Sequence, residues 1–466
     1  MVRIASIAAF AASASATVSL RTLRDLETSS TVNVLVTYRK GSGLAKLNTE
    51  SLSREERSQS VLNTLTAENF AITASAVELA KSAGVEYTQY WIDSVVAIEG
   101  ATKELVAQFA ALPNVESVAS VEVYQLPAVQ DETRNVIAAN STNEWGVEII
   151  KAPATWILGN KGKGIVVANI DTGVRGTHEA LAANFRSANG WYEPATNSSA
   201  PNDRHGHGTH TIGTIAGNNG IGVAPEAKWI ACVGCPAGSC PQTDLLTCAQ
   251  YIVCPTDTNG QNPDCKLAPH VVNNSWGSTQ NGNTWYEAAI LAWRKAGIIP
   301  VFSNGNAGPN CGTVGSPGDS PSVIAVGATD ATDLLASFSS KGPEPLQKRF
   351  KPDVSAPGKS VRSAGSASDT AYATFSGTSM AAPHTAGAVA LILGAKPGST
   401  YETVYKLITD TVDTASLKPS GANCGGVSDA TYPNNDFGYG RINVFKATSS
   451  GPAPSSPAPT TTKPAC

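Results

Sequence analysis

The chain has 466 residues, of which 41% are hydrophobic and 15% are charged. This composition predicts a folded protein with a large buried core, and the length suggests two or three folding units. The net charge is −4, the pI is about 5.9, and no basic run stands out. Nucleic acids and anionic membrane surfaces are therefore excluded as expected partners.

The N-terminal stretch MVRIASIAAFAASASA has the features of a cleavable secretory signal. It combines an early Arg3, a short apolar run and the small residues Ala14-Ser15-Ala16, and the run is too short to span a bilayer. An ordinary buried N-terminal helix is the alternative. No later segment offers the ~18 uninterrupted apolar residues of a membrane helix. We therefore predict a signal peptide at residues 1–16 and a secreted, extracellular protein with no membrane partner.

Nine cysteines agree with export. Six of them lie between positions 232 and 265, two lie further on at 311 and 424, and Cys466 ends the chain. Cys232 and Cys235 could begin a zinc site, but no second Cys-x-x-Cys and no paired histidines follow at ligand spacing. Behind a signal peptide, disulfides are favoured. Eight cysteines allow on the order of a hundred connectivities, so the pairing stays open.

Residues 31–126 are predicted to form a small unit of their own. TVNVLVTYR predicts a strand, and the stretch from Ser53 to Gly84 predicts a long helix that Gly84 stops. YTQYWIDSVVAIEG predicts a strand pair, TKELVAQFAALPNV a second helix, and VESVASVEVYQL a closing strand. The order β-α-β-β-α-β predicts an α+β, ferredoxin-like sandwich.

The pattern of residue types changes after a polar linker at residues 127–143. Over residues 144–448, the apolar runs GIVVANI, HVVNNSW, GIIPVFS and SVIAVGAT alternate with helical segments and glycine-rich turns. Such runs predict an α/β domain with a parallel sheet buried on both faces, and its chemistry is expected beyond the carboxyl ends of the strands. The Pro/Ser/Thr-rich tail at 449–466 predicts either an extended, O-glycosylated stalk or a plain frayed terminus.

Two motifs carry candidate acid–base residues. Asp171 follows GIVVANI in an Asp-Thr-Gly tripeptide, which also occurs in aspartic proteases, but these need two such loops and the chain has one. NDRHGHGTH holds three histidines, at 205, 207 and 210, without a Glu at the spacing of a zinc protease. A metal site is therefore disfavoured. A single histidine suits a general base, since a free imidazole titrates near pKa ~6.5.

Two further motifs have both a catalytic and a structural interpretation. Ser379 in TFSGTSMAAPHTAGAVALILGA opens a helical run, so its own N–H and the helix dipole could stabilise an oxyanion, or it could simply cap the helix. Asn306 in VFSNGNAGPN follows a strand within a glycine-rich turn. Its carboxamide could point into a cleft, or Asn could be there because it tolerates turn conformations.

Taken together, Asp171, His207 and Ser379 resemble, in chain order and local sequence, the subtilisin-like serine proteases (subtilases, the peptidase S8 family). The resemblance runs from about Trp145 to Thr448, over the stretches VVANIDTGV, HGHGTHTIGTIAG, NNSWG, FSNGNAGP, TVGSPGDSPSVIAVGA and GTSMAAPHTAGAVA. The α/β-hydrolases differ, because they have the order Ser, Asp, His and a Gly-x-Ser-x-Gly motif. The resemblance implies a three-layer α/β fold with a mainly parallel central sheet.

The resemblance also implies a role for each residue. Ser379 would be the nucleophile, His207 the general base and Asp171 the carboxylate that orients the imidazole. Asn306 would donate its side-chain N–H to the oxyanion, beside the N–H of Ser379. The implied substrate-binding residues flank the main pocket or pair with extended peptide; they are Ser275, Trp276, Gly277, Gly305 and Gly315. The remaining histidines of these motifs, His178, His205, His210 and His384, match structural positions.

The N-terminal unit, residues 31–126, resembles the inhibitory I9-type propeptide of subtilases, which covers the cleft and assists folding. A folding aid is physically reasonable because a large parallel sheet has many non-local contacts and folds slowly. Self-cleavage within or near 127–143 would then release a secreted serine endopeptidase from its zymogen. Neither pocket motif, at Gly305 or Gly315, places an acidic residue at its pocket position, so we expect broad cleavage that favours large apolar side chains.

The expected partners are protein and peptide substrates and the chain's own propeptide, and we expect a monomer. The chemistry requires no cofactor. The family often carries structural calcium, but no Asp/Glu spacing identifies ligands here, so no metal residues are named. A catalytically inactive binding module is the alternative, disfavoured because all four catalytic positions carry competent residue types. Asn140, Asn197 and Asn273 stand in glycosylation sequons, the last too near the substrate strand to be modified.

Overall fold

The computed structural model describes residues 16–126, 130–131 and 142–451. These residues form two compact units. The first contains the chain up to Lys46 together with Thr64–Glu122, and the second contains Leu47–Asn63 together with the chain from Val123 onward. The predicted signal except Ala16, most of the predicted linker and nearly all of the predicted tail lie outside the described residues, so these boundaries stay predictions. Within the described ranges, no helix is both long and apolar enough to cross a membrane.

The first unit is a mixed α+β sheet with helices. Its elements in chain order are β1 (Thr17–Val18), α1 (Leu20–Thr28), β2 (Val32–Tyr38), α2 (Gly43–Lys46), the C-terminal part of α3 (Arg54–Ala83), β3 (Tyr87–Tyr90), β4 (Val95–Ala101), α4 (Lys103–Ala110) and β5 (Val115–Ser120). The strand order is β1-β5-β2-β4-β3, antiparallel except for the β1–β5 pair. The strands β2, β3, β4 and β5 and the helices α3 and α4 were predicted from the sequence, whereas β1, α1 and the short α2 were not. The single closing strand predicted for VESVASVEVYQL is divided into β5 and a separate strand, Val123–Gln125.

Helix α3 has a capping box at its N-terminus and a left-handed glycine after its C-terminus. Ser53 and Glu56 form a capping box, in which the Glu56 carboxylate accepts the N–H of Ser53 at 2.8 Å and the Ser53 hydroxyl accepts the N–H of Glu56 at 3.3 Å. At the other end, Gly84 adopts a φ of 67°, a left-handed conformation that glycine reaches without strain, and the helix stops there as the sequence predicted.

The second unit is built on a seven-stranded sheet in which every pairing is parallel. Its elements in chain order are β6 (Val123–Gln125), β7 (Gln130–Asp131), α5 (Trp145–Ile149), α6 (Ala152–Ile157), β8 (Val166–Asp171), β9 (Trp191–Tyr192), α7 (His207–Ala216), β10 (Lys228–Val233), β11 (Ser239–Pro241), α8 (Gln242–Val253), β12 (Val271–Asn274), α9 (Glu287–Lys295), β13 (Ile299–Ser303), β14 (Ile324–Thr329), β15 (Val354–Pro357), β16 (Val361–Ala364), β17 (Tyr372–Ser376), α10 (Thr378–Ala395), α11 (Tyr401–Asp410), β18 (Asn423–Cys424), β19 (Val427–Ser428) and α12 (Val444–Ser449).

The sheet order is β15-β14-β13-β12-β8-β10-β9. Helices α7 and α10 pack on each other, α7 also on β8 and β10 and α10 also on β12 to β15. Helices α8 and α9 pack on each other, α8 also on β8 and β10 and α9 also on β13. Together with the sheet they form the predicted three-layer α/β fold. The four apolar runs of the sequence became β8, β12, β13 and β14, and β12, β13 and β14 are buried over their whole length. This burial on both faces explains why their sequences lack a polar alternation.

Short antiparallel pairings surround the main sheet. The strand β6 pairs with β11, β7 pairs with β17, and β17 pairs with β16. The strand β6 comes from the last residues of the predicted propeptide, yet it belongs to the second unit together with its partner β11.

All eight cysteines among the described residues form disulfides, which confirms the disulfide interpretation over a zinc site. The pairs are Cys232–Cys248, Cys235–Cys240, Cys254–Cys265 and Cys311–Cys424. The first joins β10 to α8, the second joins the segment after β10 to β11, and the third joins the end of α8 to the segment that follows it. The fourth joins residues that are 113 positions apart in the sequence. Cys466 lies outside the described residues.

Candidate active site

Asp171 and His207 meet at the carboxyl edge of the parallel sheet. Asp171 is the last residue of β8, and His207 is the first residue of α7. Nδ1 of His207 lies 2.7 Å from Oδ1 of Asp171, and both side chains are only 1% exposed. Since the carboxylate accepts, Nδ1 carries the proton and Nε2 is left as the basic nitrogen of the neutral ring. Nε2 has no hydrogen-bond partner among the described residues.

The carboxylate of Asp171 is itself held in place. Its Oδ1 atom accepts the N–H of Thr172 at 2.8 Å, and its Oδ2 atom accepts the hydroxyl of Thr211 at 3.3 Å. Gly173 follows with a φ of 119°, and a Cβ there would lie 2.1 Å from the carbonyl oxygen of Asn202, so only glycine fits the turn. The loop after β8 therefore presents the carboxylate in one orientation.

Asp203 fixes the loop that leads into His207. Its carboxylate accepts the N–H groups of His205 and Gly206 at 3.0 and 2.8 Å, and both the N–H and the hydroxyl of Thr209. It also accepts the hydroxyl of Thr172, next to Asp171, at 2.9 Å. One side chain thus ties the start of α7 to the end of β8. Asp203 was not predicted from the sequence, although an acidic residue just before a helix is a typical capping signal.

The pKa of His207 is raised above its ordinary value. Burial of the ring acts against this by lowering the pKa, but the charge and hydrogen bond of Asp171, together with the charge of Asp203, outweigh burial. The imidazolium form is therefore stabilised relative to a free histidine. This is the property that a general base needs when it takes a proton during a reaction.

Ser379 occupies the second position of α10, a helix whose residues are buried from Thr378 to Leu393. Its Oγ donates to the carbonyl oxygen of Ser275 at 3.2 Å, and its own carbonyl accepts the hydroxyl of Ser275 at 3.0 Å. Oγ is therefore not the cap of its own helix, and Gly377 precedes the helix instead. The N–H of Ser379 lies in the first turn, where an α-helix has no intrahelical acceptor to offer.

Asn306 lies beside this helix start. Its Oδ1 accepts the N–H of Thr378 at 2.9 Å and the hydroxyl of Thr378 at 2.7 Å. Its Nδ2 is buried and has no acceptor among the described residues. A buried amide donor without a partner costs free energy, so it is expected to serve an acceptor that is not part of the resting chain.

The residues of the implied substrate site come together around the turn after β12. Ser275, Trp276 and Gly277 follow the strand rather than continuing it, and the Trp276 ring is buried against Tyr286 and Phe302. At Trp276, only the backbone is therefore available to a peptide. The N–H of Ser278 donates to the carbonyl of Ser316 at 2.8 Å, so this turn lies against the segment that contains Gly315.

Gly315 and Gly305 are neighbours in space. The N–H of Gly315 donates to the carbonyl of Asn304 at 3.2 Å, and a Cβ at Gly315 would lie 2.0 Å from the carbonyl oxygen of Ser278. Gly305 has a φ of 104° and donates to the hydroxyl of Thr378 at 3.3 Å. The turn that contains Asn306 and the turn after β12 therefore meet through these two glycines. At both positions a side chain would be strained or would clash with a neighbour.

Three of the histidines that were assigned to structural positions bond backbone carbonyls. His178 pairs with Ala371, His210 with Val361 and His384 with Met380, at 2.7, 2.9 and 2.8 Å. Burial lowers the pKa of His210 to about 3 and that of His384 to about 4. His205 is exposed, with its ring 6.3 Å from that of His207. The contacts of His178, His210 and His384 fit a structural role.

Within the described part of the chain, no group of three or more His, Cys, Asp or Glu side chains is arranged to bind a metal ion. Structural calcium therefore stays a prediction from the resemblance, with no ligand named.

Comparison with known proteins adds independent findings. A sequence model of the Subtilase family matches residues 162–440. Bacillopeptidase F of Bacillus subtilis (strain 168) is 35% identical over 390 residues, which are 77% of this chain and 26% of that protein, so the chain spans about a quarter of its length. Subtilisin E of the same strain is 35% identical over 312 residues, covering 65% of this chain and 70% of the relative. An alkaline protease of Alkalihalobacillus alcalophilus is 35% identical over 306 residues, with coverages of 63% and 72%.

Proposed function

Because the chain belongs to the subtilase family, we propose that it is a serine endopeptidase that hydrolyses peptide bonds through an acyl-enzyme on Ser379. The observation that carries the proposal is the 2.7 Å contact between Asp171 and His207, which leaves Nε2 of the ring free of any partner in the described chain. One of the related proteins is named an alkaline protease.

The proposed reaction follows the positions of these side chains. Oγ of Ser379 leaves the Ser275 carbonyl and attacks the scissile carbonyl carbon, while its proton moves to Nε2 of His207. Asp171 accepts the Nδ1–H throughout and stabilises the imidazolium without being protonated itself. The imidazolium then gives its proton to the leaving amine, which leaves an ester on Ser379. Water, deprotonated by the same imidazole, hydrolyses this ester.

The oxyanion of each tetrahedral intermediate requires donors that the resting chain does not use. Nδ2 of Asn306 and the N–H of Ser379 are the two proposed donors, one from a side chain and one from the first turn of α10. Because they are fixed by buried contacts, they need little reorganisation when negative charge develops.

Substrates are proposed to bind as extended strands. The segment Val123–Gln125 already adopts this mode, antiparallel to Ser239–Pro241, and the next N–H, of Leu126, donates to the carbonyl of Gly238 at 3.0 Å. Main-chain pairing of this kind gives affinity for any peptide, and pockets then select side chains. The Tyr124 ring stacks on Trp285 with centroids 5.6 Å apart, which supports a preference for large apolar or aromatic side chains.

The main pocket is proposed to lack a carboxylate for basic side chains. Asp319, the acidic residue that follows Gly315 most closely in sequence, is buried and accepts hydrogen bonds from Ser316 and from the N–H of Gly282 at 2.8 and 2.6 Å. Burial raises the pKa of Asp319 above its ordinary value, although these hydrogen bonds act in the opposite direction. These contacts support broad cleavage without a requirement for Lys or Arg.

The chain is further proposed to be a secreted zymogen that acts as a monomer on proteins and peptides. Two observations support a zymogen: the strand Val123–Gln125 occupies the edge that a substrate would use, and Ser379 and His207 are buried. The disulfides support an extracellular location. Of the two sequons among the described residues, Asn197 is exposed and proposed to be glycosylated, whereas Asn273 is fully buried.

A fluorophosphonate probe tests the proposal, because it reacts with an activated serine. Labelling of the processed protein at Ser379, abolished in Ser379→Ala and His207→Ala, is the expected result. A processed protein that stays unlabelled would instead favour the catalytically inactive binding module. Ser379→Ala should also leave the prosegment of ~90–110 residues attached. Normal maturation of this variant in the absence of other proteases would argue against self-cleavage.

A further inference from the structure

His205 differs from the other two histidines of the NDRHGHGTH motif. His207 and His210 are buried and hydrogen bonded through their rings, whereas the side chain of His205 is exposed. Its backbone N–H donates to the carboxylate of Asp203 at 3.0 Å, but among the described residues its ring forms no hydrogen bond and no ion pair. The loop therefore fixes the backbone of His205 and leaves the imidazole available to a ligand.

The His205 ring lies beside Gly238, which directly precedes the strand Ser239–Pro241. A Cβ at Gly238 would lie 3.0 Å from both Cδ2 and Nε2 of the ring, and the φ of Gly238 is 87°. A side chain at Gly238 would thus be strained by the left-handed backbone and would clash with the imidazole. The imidazole therefore takes the space that a side chain at this end of the proposed peptide-binding edge would fill.

One residue of a paired strand lies opposite Gly238. Gln125 pairs with Ser239, and the N–H of Leu126 donates to the carbonyl of Gly238 at 3.0 Å, so Leu126 continues the antiparallel register. Residues opposite each other in antiparallel strands have Cα atoms about 4.5–5.5 Å apart. A side chain as long as that of Glu at the position of Leu126 is therefore within reach of the imidazole of His205.

This position is also close to the proposed chemistry. The centroid of the His205 ring lies 6.3 Å from that of His207, whose Nε2 is the proposed base. A substrate that pairs with the edge in the manner of Val123–Gln125 would therefore place one of the residues near its scissile bond beside His205. The imidazole is positioned to act on the choice of substrate.

The charged side chains of the surrounding elements already have partners. The ion pairs are Arg204 with Glu193, His207 with Asp171, and Arg175 with Asp369, while Asp203 accepts hydrogen bonds from backbone N–H groups and threonine hydroxyls. The edge itself, residues 236–241, contains no charged side chain. When the imidazole of His205 is protonated, it is therefore a cation without a carboxylate of its own among the described residues.

We propose that His205 is a specificity-determining residue that favours Asp or Glu at the substrate position represented by Leu126, and that it does so in mildly acidic solution. The proposal rests on the proposed endopeptidase function and names a substrate class for the same site. A free imidazole is charged below pH ~6.5 and a free Glu side chain is charged above pH ~4.3, so the attraction is present between these values and is lost as the pH rises. The neutral ring accepts an uncharged side chain such as that of Leu126.

The first experiment measures kcat/KM for internally quenched peptides that carry Glu or Gln at one position at a time on the amino side of the scissile bond. At one of these positions, the ratio of Glu to Gln should be roughly two- to fivefold higher at about pH 5.5 than at about pH 8, as expected for an exposed ion pair. The protonation of His207 cancels, because both peptides are compared at the same pH. High salt should reduce the effect. Equal ratios at both pH values would overturn the proposal.

Three variants assign the effect to one side chain. His205→Gln should abolish the pH dependence of the ratio, whereas His205→Lys should keep a preference for Glu at both pH values, because Lys stays charged. Arg204→Gln is the matched control: it removes the neighbouring cation, which is paired with Glu193, and should retain the pH dependence. A pH dependence that survives in His205→Gln, or that is lost in Arg204→Gln alone, would contradict the assignment to His205.

The second experiment does not depend on catalysis. In the full-length Ser379→Ala chain, selective labelling gives NMR ring signals for the six histidines. At about pH 5.5, Leu126→Glu should shift the signals of His205 more than Leu126→Gln does, and should leave those of the buried His178 unchanged. Equal His205 signals in the two variants would overturn the proposed contact. If the wild-type protein cut no peptide but the His205 signals moved, the endopeptidase function would fail while the contact stood.

Discussion

Thr378 donates both its backbone N–H and its hydroxyl to Oδ1 of Asn306, at 2.9 and 2.7 Å. Two hydrogen bonds therefore hold the carboxamide by its oxygen, while Nδ2 is buried and has no acceptor among the described residues. The residue next to the proposed nucleophile thus orients the proposed oxyanion donor.

Replacing Asn306 with Ala should lower kcat by about 10² to 10³, with little change in KM. The reason is that the Nδ2 donor acts on the oxyanion, which forms only in the transition state. The magnitude is the one known for loss of the side-chain oxyanion donor in subtilisin, a member of the same family. Steady-state kinetics on a peptide substrate measure it. A rise in KM at constant kcat would instead assign Asn306 to substrate binding.

The activity should fall in acid with a midpoint above ~6.5, the ordinary pKa of histidine. Asp171 and Asp203 raise the pKa of His207, and only the neutral ring can accept the serine proton, so activity is lost as the pH falls through this raised pKa. The acid limb of kcat/KM reports the value for the free enzyme. A maximum near pH 4 would contradict the assignment of His207 as the base.

Asp203→Asn should move this acid limb to lower pH. Removing the negative charge removes one of the interactions that raise the pKa of His207, so the ring stays neutral in more acidic solution. We also expect a lower kcat, since the amide accepts fewer of the hydrogen bonds that tie Thr172, Gly206 and Thr209. Asp369→Asn is the control, because it makes the same charge change at an exposed residue that pairs with Arg175. An unshifted limb in Asp203→Asn would show that this charge does not reach the ring.

Removing the disulfide with the longest sequence separation should destabilise the protein more than removing the one with the shortest. Cys311→Ala with Cys424→Ala opens a separation of 113 residues and should lower the free energy of unfolding by about 5 kcal/mol. Cys235→Ala with Cys240→Ala opens a separation of 5 and should cost about 2 kcal/mol. Urea unfolding in the Ser379→Ala background avoids self-digestion. In active protein, loss of the second pair should also raise KM, because Cys240 lies in the edge strand that is proposed to pair with substrate peptides. Equal losses of stability would contradict the loop-length argument.

Much of the fold could be predicted from local sequence. The runs that became β8, β12, β13 and β14 are rich in apolar, β-branched residues and lack a polar alternation, which predicts a sheet covered on both faces. A parallel sheet gathers the carboxyl ends of its strands at one edge. The contact between Asp171 and His207 follows from that geometry and from the resemblance.

The rest depends on tertiary proximity, which the sequence does not encode locally. Disulfide pairing was open because six cysteines crowd into one short region. Asp203 was missed because an acidic residue before a helix predicts only a helix cap, whereas its hydrogen bond to Thr172 beside Asp171 arises from the tertiary fold. The packing of residues 47–63 with the second unit was also unforeseen, since α3 is one uninterrupted helix and its sequence does not mark where it passes from one unit to the other.

The complete burial of α10 from Thr378 to Leu393 has an evolutionary consequence. The proposed nucleophile lies on a helix where substitutions disturb the core, whereas the proposed peptide-binding edge at Ser239–Pro241 is a short strand that contains Cys240 of a disulfide. Mutations that survive will therefore accumulate at the edge and seldom in the helix. Under the proposed function, the set of digested proteins can diverge between lineages while the reaction is inherited unchanged.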